Sequence, residues 1–195
     1  MFHLENINTK KVILASRSPR RQYLLKGIGI EFEVWIKNDV DEQYPSHLSC
    51  EEIPVFLARR KAQTFTDKLK NNHLLITADT IVWCEEQVLD KPKDFHDARE
   101  ILKKLSGNKH LVITGVCIKT LEKEVAFFAS TDVYFSNLAN QEIEYYLEKY
   151  KPYDKAGAYG IQEWIGYIGI EKIEGSYFNV MGLPVQRLYS ELKKF

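Results

Sequence analysis

Short apolar runs alternate with amphipathic stretches along this chain. Residues 11–15 (KVILA) predict a buried strand, which leads into Ser-Arg-Ser-Pro-Arg-Arg and then the amphipathic QYLLK. Ser18 suits the N-cap of a helix, Pro19 its first position and Gly27 the position past its end, three signals that agree with one another. Residues 32–35 (FEVW) read as a strand from their aromatic and β-branched content, and the acidic, proline-containing residues 39–45 as a loop. Val55, Ala58, Ala62, Phe65 and Leu69 recur at spacings of 3, 4, 3 and 4, which makes one apolar helix face, with Arg59, Arg60 and Lys61 off that stripe.

Residues 74–78 (LLITA) predict a second buried strand that stops at Asp79 and Thr80 and resumes as Ile81, Val82 and Trp83, with Asp90, Lys91 and Pro92 in the turn beyond. Asp94 is placed to cap a helix carrying Ala98, Ile101, Leu102 and Leu105 and closed by Gly107. Residues 110–119 and 125–135 predict two long strands in a hairpin. Ile143, Tyr146 or Leu147, and Tyr150 stripe another helix, followed by a polar, glycine-bearing loop at 154–160. A strand-like segment at 164–173, then Gly182-Leu183-Pro184 and a helix with Val185, Leu188 and Leu192, complete the pattern. Helices interleaved with strands, plus an antiparallel hairpin, predict an α/β fold with a mixed sheet. No repeat, low-complexity tract or flexible linker divides the chain, and 195 residues suit one domain or two intimately packed lobes, so 1–195 is read as a single domain.

Composition narrows the function classes. With 45% hydrophobic and 12% aromatic residues against 28% charged, there is apolar surface for a substantial core, which excludes a disordered chain. Lys+Arg 27 against Asp+Glu 27 gives no net charge, which disfavours a nucleic-acid binder relying on phosphate neutralisation. The charges are segregated, however: residues 1–30 hold Lys10, Lys11, Arg17, Arg20, Arg21 and Lys26 against Glu5 alone, while residues 31–54 hold seven acids against Lys37. No secretory pattern opens the chain and no apolar run approaches the roughly 20 residues that span a bilayer, so a cytoplasmic protein with no membrane partner is expected. Cys50, Cys84 and Cys117 are widely spaced, without a CxxC pair, and read as buried reduced thiols.

Candidate chemistry gathers at the strand-loop-helix unit around residues 16–21. A helix start offers unpaired N–H donors and partial positive charge, and Ser16, Ser18, Arg20 and Arg21 add hydroxyls and forked cationic donors suited to phosphate. A capped surface helix with two solvated arginines is the plain alternative, and GxxxxGK[ST] is absent. Asp79, where the apolar run breaks, is a candidate catalytic or metal-binding carboxylate, or else a turn residue. Lys61, Lys91 and Lys155 can each neutralise phosphate or simply face solvent. If the fold brings Glu42 and Asp79 together, they can hold a hydrated Mg²⁺ or Mn²⁺, since hard cations take oxygen ligands and triphosphates arrive with one. His3, His47, His73, His96 and His110 show no HxxxH or HExxH spacing. Tyr159, Trp164, Tyr167, Tyr177 and Phe178 are available to stack a base, though most suit core or interface packing.

The blocks ILASRSPRRQYLL, DE with a later ARRKA, ADTIV, LDKP, LSGNKH, DKAGAYGIQ and NVMGLP, in order from about residue 13 to residue 192, resemble the Maf nucleoside triphosphate pyrophosphatases, named for septum formation. The resemblance implies a Maf/ITPase-like fold, a twisted mixed β-sheet with flanking helices forming two lobes around a central cleft, and commonly a homodimer. It places the family's phosphate-binding positions on Ser16, Ser18, Arg20 and Arg21, its acidic loop position on Glu42, its two lysines on Lys61 and Lys91, and its catalytic aspartate on Asp79. The members acting on dTTP and UTP are marked by Arg20, Thr80 and Gln162, whereas relatives acting on 7-methyl-GTP lack the DKAGAYGIQ form. Two positions depart from the usual pattern: Arg60, where acids or polar residues are frequent, and bulky Trp164, where small residues are.

What the resemblance implies is a house-cleaning hydrolase that cleaves dTTP or UTP, or modified pyrimidine nucleotides, to the monophosphate and pyrophosphate, using a divalent cation held by Glu42 and Asp79. Asp79 would act as base or through the metal; a carboxylate already held by cations is a poor base. Gln162 offers the donor and acceptor that a pyrimidine edge requires. The alternatives are a regulatory interaction protein influencing cell division and a nucleic-acid-binding module using the basic first 30 residues.

Overall fold

The structure is a computed structural model and describes residues 4–37 and 40–195; His3 and Asp39, named above, lie outside them. Among the described residues, seven strands make one sheet: β1 (Lys11–Leu14), β2 (Glu33–Val34), β3 (His73–Cys84), β4 (Gln87–Leu89), β5 (Lys109–Lys119), β6 (Glu124–Phe135) and β7 (Ile170–Glu174). Their order is β2-β1-β3-β5-β6-β7, with β4 on β3. β1 runs parallel to β2 and β3, while β4 on β3 and β7 on β6 are antiparallel, so the expected mixed sheet is present. The α-helices are α1 (Pro19–Gly27), α2 (Glu52–Gln63), α3 (Phe95–Leu105), α4 (Asn140–Tyr150), α5 (Trp164–Gly169), α6 (Tyr177–Met181) and α7 (Val185–Leu192). Among the described residues no helix is long and apolar enough to cross a membrane.

The chain divides into two compact units. The first takes the described residues up to Asp79, with Thr114–Ala129 and Gly182–Phe195; the second takes Thr80–Ile113 and Ser130–Met181.

In the first unit, Ile13, Leu75 and Cys117 from the strands and Ala15 just past β1 meet Ala58 and Ala62 of α2, with Phe65 and Leu69 beyond it. The start of α2 lies so close to β5 that a Cβ on Gly115 would sit 2.2 Å from the Pro54 carbonyl carbon, a distance only glycine permits. The predicted stripe from 55 to 69 is not one helix. Thr64 Oγ1 donates to the Lys61 carbonyl (2.8 Å), competing with the backbone ladder, and Phe65 and Leu69 reach the core around a 3₁₀ turn at Thr66–Lys68. Val55 is half-buried, and Ile53, Pro54 and Leu57 are buried in its stead.

In the second unit, Asp94 caps α3 by accepting from the Asp97 N–H (2.8 Å), and α3 buries Ala98, Leu102 and Leu105. α4 buries Ile143, Tyr146 and Leu147. The strand expected over 164–173 begins only at Ile170. Residues 164–169 form α5, whose buried Ile165 and Gly169 stand four apart, a helical period that overrides the strand-favouring composition. A Cβ on Gly166 would fall 1.8 Å from the Ile161 carbonyl oxygen, so this turn folds directly onto the preceding loop. The short helix α6 had no counterpart in the sequence pattern. The three cysteines are free, with Cys84 and Cys117 buried and Cys50 half-buried; burial pushes the Cys117 thiol up to about 12, leaving it inert.

Candidate active site

β1 ends at Leu14, and the loop that follows delivers α1 with Ser18 as its cap and Pro19 first, as expected, whereas Gly27, expected past its end, is its last residue and the left-handed turn beyond falls on Gly29 (φ 77°). The Ser18 N–H donates to Ser16 Oγ (3.2 Å), and the Arg21 N–H donates to Ser18 Oγ (3.4 Å), so both hydroxyls are gathered at the helix start. Arg21 turns inward. Its Nε donates to the Gly182 carbonyl (2.8 Å) and its NH1 to the Ala78 carbonyl (2.7 Å), tying the start of α1 to β3 and to the NVMGLP block. Burial holds the Arg21 guanidinium below its usual range, while Asp79 supports its charge, Arg20 opposes it and Glu42 supports it. Arg21 is thus an anchor beside the site, committed to backbone carbonyls, and Arg20 is the half-buried cation next to it.

Asp79 lies within β3, not at a strand end. β1 pairs with β3 only as far as Ile76, and β4 begins to pair only at Val82, so Asp79 and Thr80 occupy the stretch between those two partners. That change of partner produces the break that the sequence shows as a polar pair inside an apolar run. One contact fixes which helix residue faces Asp79. Thr77 Oγ1 donates to the Ala58 carbonyl (2.7 Å); two residues on along the strand and three on along the helix, the same faces bring Asp79 and Lys61 together. The Lys61 ammonium binds Asp79 Oδ1 and also Glu42 Oε1 at 2.8 Å. Asp79 is 8% exposed, whereas the Glu42 side chain is half open to water. The loop that carries Glu42 is gripped on both sides by Arg60, which pairs with Asp41 and donates to the Gln43 carbonyl (2.6 Å).

The structure therefore gathers Ser16, Ser18, Arg20, Arg21, Glu42, Lys61 and Asp79 in the first unit, whereas Thr80, Lys91 and Gln162 belong to the second. Lys91 is exposed and Thr80 half-buried. Gln162 Oε1 is buried with no hydrogen-bond partner among the described residues. Next to it stands a network the sequence did not announce: Tyr146 OH donates to Glu163 Oε2 and accepts from the Gly160 N–H (3.0 Å), and Lys155 lies 3.1 Å from Glu163 Oε1 and 2.8 Å from Asp154. Lys155, one of three candidate phosphate cations, is 8% exposed and committed to this network. Tyr159 is buried against His110, with its hydroxyl 2.8 Å from Nε2, and is closed to base stacking.

No cluster of three or more His, Cys, Asp or Glu able to hold a metal ion occurs among the described residues. The residues present nonetheless fit a hydrated divalent cation, because Glu42 and Asp79 already converge on one cation, the Lys61 ammonium, and Mg²⁺ needs only one or two carboxylates when phosphates supply further oxygens.

Fold and site together define an α/β protein that presents an anion-receiving helix start beside two carboxylates bridged by a lysine. Residues 11–195 match the family model described as Maf-like protein, and the chain belongs to that family. Among its relatives, the dTTP/UTP pyrophosphatase of Parabacteroides distasonis is 55% identical over 192 residues, covering 98% of this chain and 100% of the relative. The dTTP/UTP pyrophosphatase of Phocaeicola vulgatus is 55% identical over 191 residues, covering 98% of this chain and 99% of the relative. Among solved structures, a nucleoside-triphosphatase / dITP/XTP pyrophosphatase from Mycobacterium abscessus is 14% identical, with a TM-score of 0.45, covering 94% of this chain and 95% of that one.

Proposed function

We propose that residues 1–195 act as a single pyrophosphatase domain that hydrolyses dTTP and UTP to the monophosphate and pyrophosphate. Family membership at 55% identity over nearly the whole of both chains supports the activity. The observation that carries the chemistry is the meeting of Lys61 with Glu42 and Asp79 beside the Arg21-anchored start of α1.

Water attacks the α-phosphorus and pyrophosphate leaves. The start of α1, with Ser16, Ser18 and Arg20, receives the phosphate oxygens, and Lys91 adds a further cation. Lys61 gives up part of its contact with the carboxylates to the incoming anion and keeps Asp79 oriented. Asp79, shielded from bulk water, positions the attacking water and accepts its proton once the incoming phosphate has drawn part of the Lys61 charge away from it. Glu42 and Asp79 would hold Mg²⁺ or Mn²⁺, which when bound neutralises phosphate oxygens and makes water easier to deprotonate. Gln162 and Thr80 read the base: the unpaired Gln162 Oε1 is an acceptor whose isolation costs about 1–3 kcal/mol, which a base N–H reaching it would recover. The reading includes a cytoplasmic protein acting on nucleotide pools, and a homodimer. Tyr167 (81% exposed), Ile168, Tyr177 and Phe178, all in the second unit, supply apolar surface for a second copy.

The test is a panel of natural and modified triphosphates with Mg²⁺ or Mn²⁺, with products resolved. Pyrophosphate and the monophosphate are expected from dTTP and UTP. Release of orthophosphate would contradict the proposed bond, and no turnover on any of them would contradict the enzyme.

A further inference from the structure

A primary amide is an ambiguous reader of pyrimidines. Uracil and thymine present an N3–H donor beside a C4 carbonyl acceptor; cytosine presents an N3 acceptor beside a C4 amino donor. Gln162 carries one acceptor and one donor group, so it matches either order by rotating about its last bond. Selecting uracil or thymine over cytosine requires the amide to be held one way round.

The surroundings of Gln162 contain a device that does this. The point that a Cβ on Gly160 would occupy lies 3.0 Å from Gln162 Nε2, 2.8 Å from Glu163 Cδ and 3.0 Å from Glu163 Oε2. The amide nitrogen and the carboxylate therefore flank the same bare face of one glycine. A negative charge there favours the NH₂ end of the amide and repels the carbonyl end. The carboxylate is itself fixed on both oxygens, by Tyr146 OH on Oε2 and by Lys155 at 3.1 Å on Oε1, while the Gly160 N–H donates to the same tyrosine oxygen at 3.0 Å. Tyr146 is fully buried and Lys155 nearly so, so these contacts work in a low dielectric. Burial, with Glu163 adding to it, pushes the Tyr146 hydroxyl up and keeps it a proton donor. With the NH₂ end toward Glu163, the end without a hydrogen-bond partner is Oε1, which is buried, so a base that pairs with it must displace what covers it.

We infer that Tyr146, Glu163 and Lys155 form a positioning network that sets base specificity by locking the Gln162 amide with its oxygen toward the base, so that it accepts the N3–H of uracil or thymine and faces the N3 lone pair of cytosine. The inference rests on the proposal that Gln162 reads the base.

The experiment measures kcat/KM for UTP and CTP in the full-length enzyme and in Tyr146→Phe, Glu163→Gln and Gln162→Ala, with a thermal melt of each. Tyr146→Phe removes one oxygen, and Glu163→Gln keeps the shape and removes the charge. Both are expected to lower the UTP/CTP ratio at least fivefold, through a higher KM for UTP with its kcat within about twofold of the parent. A merely structural role lowers both nucleotides together and leaves the ratio alone. If Tyr146→Phe does not fold, Glu163→Gln decides. A ratio within about twofold of the parent in the folded variants, while Gln162→Ala changes it, would overturn the network's role and spare the base reading. An unchanged ratio in Gln162→Ala as well overturns both.

Discussion

Two polar clusters, one in each unit, use the same ingredients to opposite effect. In the first, Lys61 bridges Glu42 and Asp79, and the Glu42 side chain stands half in water on an exposed loop. In the second, Lys155 likewise bridges an exposed acid, Asp154, and a shielded one, Glu163, and Tyr146 holds the other oxygen of Glu163. Charges partly in water exchange partners at little cost, since an exposed pair is worth about 1 kcal/mol or less. An ion pair out of water loses several kcal/mol when one partner is removed. The Lys61–Glu42 contact is therefore the part of the first cluster suited to yield to a triphosphate and a cation, while the Lys61–Asp79 pair stays shielded, and Glu163 in the second cluster is held on both oxygens. The second is suited to stay still and serve as a template.

The widest separation between the two clusters comes from Lys61→Ala. It removes the cation that both carboxylates share, so kcat for dTTP should fall a hundredfold to a thousandfold, about 3–4 kcal/mol, and the thermal midpoint should fall as well because the shielded Asp79 loses its ammonium. A variant that melts earlier yet keeps its kcat would show Lys61 to be structural only.

The interior of the second unit should instead reveal itself through acid sensitivity. His110 on β5 is buried against Tyr159 and Phe135, and burial lowers its pKa to about 3 from an ordinary 6.5. Between those values the unfolded chain takes up a proton that the folded chain refuses, so stability falls as pH drops through that window, by about 4 kcal/mol at its acid end. His110→Gln should flatten this part of the pH dependence of thermal unfolding. An equal slope in parent and variant would exclude His110 as its source.

The smallest effect is expected at the exposed grip on the Glu42 loop. Arg60→Ala should lower activity only twofold to fivefold and raise the Mg²⁺ concentration needed for half-maximal rate, within the value of a surface ion pair, under about 1 kcal/mol. A larger loss would move the loop into the rigid class.

The first cluster was the more legible in the sequence, and the reason is physical. Its parts are tied to regular elements whose periods can be read: Ser18 and Pro19 mark a helix start, and Lys61 stands beside an apolar stripe at helical spacing. The pairing of Lys61 with Asp79 needed one tertiary contact, Thr77 on Ala58, which no local pattern shows. The inward turn of Arg21 was hidden for the same reason, because its carbonyl partners at Ala78 and Gly182 are far apart in sequence. The second cluster was nearly invisible. Tyr146 looked like one more apolar position on α4, and Lys155 and Glu163 belong to irregular segments held by glycines at 157, 160 and 166, where backbone closeness carries the information. The segment 164–173 misled because bulky apolar residues favour strand, while the four-residue spacing of Ile165 and Gly169 was the signal that decided it.

The central claim is that the charges around Asp79 carry out the chemistry without regard to the base. Asp79→Asn, assayed for kcat/KM on UTP and CTP with Mg²⁺, tests it most directly. Both values should fall together by a thousandfold or more, about 4 kcal/mol of barrier, with their ratio unchanged. Turnover within about threefold of the parent, or a loss confined to one base, would contradict it.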